Sequence, residues 1–102
     1  MYDLEFLPAA LQDMAEIVRY ISHDLDNKTA ANSLAEKLIS SAENLREFPY
    51  SCPVYQPIRP LSNEYRKCIV QNYLMFYNVD ESQKRITVYR VIYGKRDIDR
   101  IL

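Results

Sequence analysis

With 102 residues, 48% of them hydrophobic, and a single glycine, the chain is long enough for one packed core and too short for two. Folding should bury roughly two-thirds of the surface that the unfolded form exposes, so neither a structural metal nor a disulfide staple is required. The 13 Lys and Arg nearly cancel the 14 Asp and Glu, which excludes a net field that draws the whole molecule to nucleic acid; any such attraction must be local.

The opening MYDLEFLPAA has neither a basic leader nor a signal-type apolar stretch, and no run of the sequence is apolar for the length of a bilayer. A soluble cytoplasmic protein with no membrane partner is expected. Within that opening, Tyr2, Leu4 and Phe6 alternate with Asp3 and Glu5, the period of a half-buried strand. Pro8 ends the strand and suits the first turn of a helix. From there Leu11, Met14, Ala15, Val18, Ile21 and Leu25 recur at three and four and predict an amphipathic helix.

The break at DLDN offers Asp26 and Asn27 as helix caps. A second stripe follows in Ala31, Leu34, Ala35, Leu38, Ala42 and Leu45, with Ile39 beside it, and stops before Pro49. So short a break predicts an antiparallel helical hairpin whose stripes face one another and a sheet. Prolines at 49, 53, 57 and 60 make FPYSCPVYQPIRP a loop, since each lacks a ladder donor and restrains the residue before it. The loop is expected to latch onto the helices through its apolar side chains, with Tyr50 and Tyr55 at its surface.

Beyond the loop, EYRKCIV, YLMFYNV and RITVYRVIY are rich in β-branched and aromatic residues, separated by Gln71-Asn72 and by DESQK. They predict a three-stranded antiparallel meander. YLMFYNV is apolar at nearly every position, as a strand covered on both faces would be, while EYRKCIV keeps polar positions for a more exposed place. With no repeat and no linker, residues 1–102 form one α+β domain: an N-terminal strand, a helical hairpin, the meander, and a short C-terminal tail or helix.

Few residues carry chemistry in a recognisable spacing. Cys52 and Cys68 are not a close ligand pair and His23 has no neighbour of ligand type, so no metal and no cofactor is expected. Both thiols are expected to be reduced. His23 falls near a helix end, where a surface cap is its expected role. Tyr73, Tyr77 and Tyr89 lie in strands, where packing is the expected use of an aromatic ring. Asp80 and Glu81 fall in a turn and are expected to solubilise it. Gly94 closes the last apolar run and is expected to let the chain leave the sheet in a conformation closed to residues with a Cβ, delivering Lys95 and Arg96 at the sheet's end.

The order of the opening strand, a helix ending in IVRYI, an AA-containing second helix, the LREFP exit, YRKCIV, NYLMFYNV and RVIYGKRDIDRIL resembles the RelE/ParE superfamily of toxins from type II toxin–antitoxin modules. The resemblance runs nearly end to end. It implies a growth-inhibiting toxin neutralised by a cognate antitoxin, with either DNA gyrase or the ribosome and its mRNA as target. RelE-like members cleave mRNA with a cluster of Lys and Arg and usually a C-terminal Tyr or His. Arg96 matches the arginine of the family's G-K-R segment, and Arg66 and Lys67 match the basic residues of the strand after the loop. The strand position next to Tyr73, which carries an arginine in nucleolytic members, holds Leu74, and Leu102 stands where a terminal tyrosine is expected.

These departures, with an Arg-Asp pair and an aliphatic ending, are closer to ParE-like than to RelE-like members and imply inhibition of gyrase by binding. The alternatives are a ribosome-dependent mRNA endoribonuclease and a degenerate, non-toxic module that only binds antitoxin. No catalytic residue is assigned. The candidate target-binding surface is a basic patch of Arg59, Arg66, Lys67, Lys95 and Arg96, whose side chains are expected to meet at the rim of the sheet.

Overall fold

The alternation at the start of the chain becomes β1 (Asp3–Phe6), with Tyr2, Leu4 and Phe6 turned to the core. The structure is a computed structural model and describes residues 1–57 and 63–95. Pro8 opens α1 (Pro8–Arg19), and the chain continues into a π-helical turn from Tyr20 to Asp24. The buried stripe of α1 is Ala10, Met14, Ile17 and Ile21 rather than the set expected from periodicity, for Leu11 and Leu25 are more than half exposed. Ala10, Met14, Ile17 and Ile21 recur at four, three and four and so share one face, while Leu25, just past the π turn, is left at the surface.

Asn27 caps α2 (Lys28–Leu45) by accepting the Ala30 N–H at 3.0 Å, and Ala31, Leu34, Leu38, Ala42 and Leu45 are buried. The end of α2 is tied to β1, where Arg46 Nε donates to the Tyr2 carbonyl at 2.9 Å and the Tyr2 N–H donates to the Arg46 carbonyl at 3.0 Å. The meander follows as β2 (Arg66–Val70), β3 (Tyr73–Asp80) and β4 (Arg85–Tyr93). The four strands lie in the order β1-β4-β3-β2, with β1 parallel to β4 and the other pairs antiparallel.

One face of this sheet buries Cys68, Val70, Met75, Tyr77, Val88 and Val91 beneath the helices. The other face carries a smaller cluster of Tyr65, Phe76 and Ile92, flanked by Tyr55, Leu74 and Tyr89. Strand β3 is therefore covered on both sides, as its nearly unbroken apolar run requires. A bulge at Tyr89, opposite the step from Phe76 to Tyr77, lets β4 serve both clusters. The strand tyrosines pack as expected: Tyr77 is fully buried with its hydroxyl donating to the Pro49 carbonyl at 2.7 Å, and Tyr89 meets Tyr65 edge-on at 5.0 Å.

Two expectations about the proline-rich loop are corrected. Cys52 and Cys68 form a disulfide, their Cα atoms 5.4 Å apart, instead of two free thiols. The register brings them together because the loop lies along the outer edge of β2: Val54 bridges Arg66, the Lys67 N–H donates to Pro53 at 3.0 Å, and the Tyr55 N–H donates to Tyr65 at 2.8 Å. The loop thus latches onto the sheet and not onto the helices. An edge strand needs partners for its outward amides, and a proline without an N–H still offers its carbonyl.

Gly94 is corrected as well. No glycine has a positive φ; the left-handed positions among the described residues are Asp26, Gln71 and Lys84. The glycine N–H donates to the Asn72 carbonyl at 2.9 Å, and a Cβ at 94 would stand 3.3 Å from that oxygen, a contact tight enough to favour glycine. Among the described residues, no helix is long and apolar enough to cross a membrane.

Candidate functional site

Of the five basic residues singled out in the sequence, Arg66, Lys67 and Lys95 fall within the described residues, and these three stand apart. Arg66 opens β2, where its Nη1 donates to the Cys52 carbonyl at 2.8 Å and its guanidinium lies 4.9 Å from the centre of the Tyr50 ring. Lys67, the next residue, points to the opposite face of the sheet, its Nζ 5.8 Å from the centre of the Tyr55 ring. Lys95 follows β4 at the other end of the sheet, for Arg66 is level with Tyr77 and Val88 whereas the chain reaches Lys95 past the Tyr73–Tyr93 pair. Arg59 and Arg96 lie outside the described residues. Strand alternation separates Arg66 from Lys67, and strand direction separates both from Lys95.

A concave surface is found elsewhere among the described residues. A cleft of about 710 Å³ opens between the end of α1 with its π turn, the start of α2, the Gln71-Asn72 turn and the end of β4. Its floor is apolar, with Ile17, Ile21, Leu34 and Val91. Its rim carries three large side chains that remain open to solvent: Tyr20 at 51%, Leu25 at 55% and Tyr93 at 39%. The Tyr93 ring leans on Tyr73, centres 5.7 Å apart. Burial, and then the neighbouring Tyr93 and Tyr20 phenols, raise the Tyr73 pKa above its ordinary value.

The charged residues lining the cleft are both acidic, Asp13 and Glu16 on α1. They differ in how they are held. Asp13, with only 11% of its side chain exposed, receives Arg90 Nε at 2.7 Å, Arg90 Nη2 at 2.8 Å and the Val91 N–H at 3.0 Å. Strand β1 pairs with β4 only as far as Val88, so beyond that point the Asp13 carboxylate stands in for the missing neighbour of β4. Glu16 is exposed, accepts a hydrogen bond from the amide of Gln12 at 2.9 Å, and adds its charge to that of Asp13 in raising the Arg90 pKa. The cleft thus combines an apolar floor, a tyrosine rim and two carboxylates whose charge acts on Arg90.

A second polar cluster joins three distant parts of the fold. Glu81, in the β3–β4 turn, accepts the hydroxyls of Tyr2 at 2.6 Å and Tyr50 at 2.5 Å and also pairs with Lys84. These bonds, the one from Lys84 first, hold its carboxyl down at about 2, and the bond to Glu81 pushes the Tyr50 phenol up to about 12. Asp80 accepts from Ser82 Oγ at 2.8 Å and from the Gln83 N–H at 3.1 Å. Both turn carboxylates therefore organise structure beyond solubilising the hairpin. Neither this cluster nor the cleft was visible in the sequence, although Tyr20, an aromatic residue off the apolar stripe, was a signal for the cleft.

Comparison with solved structures places this architecture among toxin–antitoxin proteins. A chain of the chromosomal ParDE system from P. aeruginosa superposes with a TM-score of 0.74 at 14% identity, covering 93% of this chain and 98% of that one. A chain of the RelBE2 toxin–antitoxin complex from Mycobacterium tuberculosis gives 0.66 at 15% identity, covering 90% and 96%, and the isolated RelE toxin from E. coli gives 0.56 at 20%, covering all of both chains. The fold is thus the small α+β fold of these chains. Residues 4–98 match the family model described as the ParE toxin of the type II toxin–antitoxin system, parDE, and the chain belongs to that family. None of the curated proteins matches it by sequence.

Proposed function

We propose that this toxin acts by binding, inhibiting DNA gyrase without chemistry of its own, and that a cognate antitoxin neutralises it in the cytoplasm. The observation that carries this reading is the divergence of Arg66 and Lys67 to opposite faces of the sheet. Cleavage of RNA through its 2′-oxygen needs a base, an acid and a cation around one phosphate. Here Arg66 is engaged by Cys52 and Tyr50, Arg90 by Asp13, and the strand position that would hold a further arginine is Leu74, packed beside Phe76. Contact with the target is assigned to Lys95, which is exposed, together with Arg96 and Arg59. An antitoxin partner follows from family membership and from the related structures, which are described as ParDE and RelBE systems or complexes.

Two assays on the same preparation test the reading. Purified protein should block supercoiling by gyrase, and induction in cells should produce filaments and a DNA-damage response, with Arg96→Ala weakening both more than it lowers the melting temperature. Cuts in ribosome-bound mRNA with gyrase unaffected would replace the reading by a ribosome-dependent endoribonuclease. Induction without growth arrest would replace it by a non-toxic antitoxin-binding module.

A further inference from the structure

We propose that Cys52 and Cys68 form a reversible thiol–disulfide switch, in which Cys52 is the sulfur that exchanges with small thiols and Cys68 the buried partner that resolves it. Three features set the pair apart from a structural staple. First, other bonds dock the loop: Val54 bridges Arg66, the Lys67 N–H donates to Pro53 at 3.0 Å, the Tyr55 N–H to Tyr65 at 2.8 Å, and the Tyr77 hydroxyl to Pro49 at 2.7 Å. These attachments flank both cysteines and hold their Cα atoms 5.4 Å apart, within the window for bond formation, whether or not the sulfurs are joined. Second, access differs, for Cys68 is only 6% exposed whereas Cys52, on the loop, is half-buried. Third, the Arg66 guanidinium donates to the carbonyl of Cys52 itself at 2.8 Å, giving it the neighbouring cation that marks reactive cysteines.

Reduction takes two steps. The thiolate of a small thiol attacks Sγ of Cys52, the Cys52–Cys68 bond breaks, and Cys68 leaves as a thiolate that takes up a proton. A second small thiolate then attacks the small-molecule sulfur bound to Cys52, and Cys52 leaves and is protonated in turn. The two small thiols depart joined as a disulfide, having given the protein two electrons and two protons, and a small disulfide acting as oxidant reverses the sequence. Reduced Cys68 stays in the core as a small apolar residue. The state of the bond sets how long the protein lasts. Closing a loop with a separation of 16 residues lowers the unfolded population roughly 100-fold. Proteases that capture the open form slow in proportion. The exchange site is independent of the toxin's target, but its use in a cell rests on the cytoplasmic location proposed above, where disulfides are usually transient. The chain would there be short-lived while small thiols are reduced and long-lived under oxidation.

The test uses the full-length protein in native buffer, with reduced and oxidised glutathione as the probe and the products read by acid quenching, alkylation and peptide mass. Wild type should pass reversibly between a disulfide form and a two-thiol form without losing its near-UV circular dichroism, and the trapped mixed disulfide should sit on Cys52. Oxidised glutathione should react with Cys52 in Cys68→Ala at least about tenfold faster than with Cys68 in Cys52→Ala. Thermolysin should digest the reduced form roughly 100-fold faster than the oxidised form. A bond reduced only after denaturation would overturn the switch, and so would glutathione trapped on Cys68 of folded wild type; both readings stand even where a variant fails to fold. Equal digestion rates would overturn the effect on lifetime. In intact cells, alkylation should find both thiols free until a thiol oxidant is added. A disulfide already present in untreated cells, beside normal exchange in the purified protein, would overturn the cytoplasmic location and not the exchange site.

Discussion

Reduction of the Cys52–Cys68 disulfide should lower stability by a predictable amount while leaving the folded structure in place. The bond closes a loop with a sequence separation of 16 residues. Opening a loop of that length restores to the unfolded chain an entropy equivalent to about 3 kcal/mol. In the folded state the loop keeps its other attachments: Lys67 to Pro53, Tyr55 to Tyr65, Arg66 to Cys52 and Tyr77 to Pro49. Cys68, buried in the core, remains there as a small apolar residue once reduced. The loss therefore falls mainly on the unfolded ensemble. For a domain of this size it corresponds to a fall in Tm of roughly 12–24 °C. Urea and thermal unfolding with and without a thiol reductant, at one pH, would measure it, with alkylation confirming two free thiols in the reduced sample. The urea m-value should rise, because the reduced chain unfolds to a more exposed state. Equal midpoints for fully alkylatable and disulfide-bonded protein would refute the reasoning.

Leu38, fully buried in the stripe of α2, should cost about 2–5 kcal/mol when changed to Ala, and an unshifted urea midpoint would contradict its place in the core. The Glu81 cluster should give stability two pH windows. Because its carboxyl is held at about 2 against an ordinary 4.5, the contribution of Glu81 is complete above that ordinary value and is lost as pH falls through about 2. The Tyr50 phenol, held at about 12 against 10.0, contributes fully below its ordinary value and loses that contribution as pH rises through about 12. Glu81→Gln should flatten both windows, and parallel pH profiles of urea midpoints for wild type and variant would show that the cluster does not contribute.

The elements were legible in the sequence to the extent that periodicity reports burial. β1, α2 and the three meander strands follow their apolar spacing closely, and Asn27 caps α2 as its position before the stripe indicates. The first helix was less legible. Its stripe was read through Leu11 and Leu25, but Leu11 lies one position off the buried face set by Ala10, and Leu25 lies past a π turn, a change of phase that a fixed period cannot represent. Gly94 was rightly singled out and wrongly explained, because a carbonyl 22 residues away in the chain, at Asn72, sets its constraint.

By itself, the sequence determined the α+β class, the order of the elements and the resemblance to the toxin family, all of which depend on neighbours a few residues apart or on their succession along the chain. Only the tertiary structure decided which side chains meet. Strand parity sent Arg66 and Lys67 to opposite faces, and the edge pairing of β2 brought Cys52 to Cys68. The end of α1, its π turn and the β2–β3 turn together line a cleft with acidic side chains and a tyrosine rim. Local spacing specifies which face of its own element a residue occupies, whereas the register between elements specifies what that face touches, and register is a property of the assembled sheet.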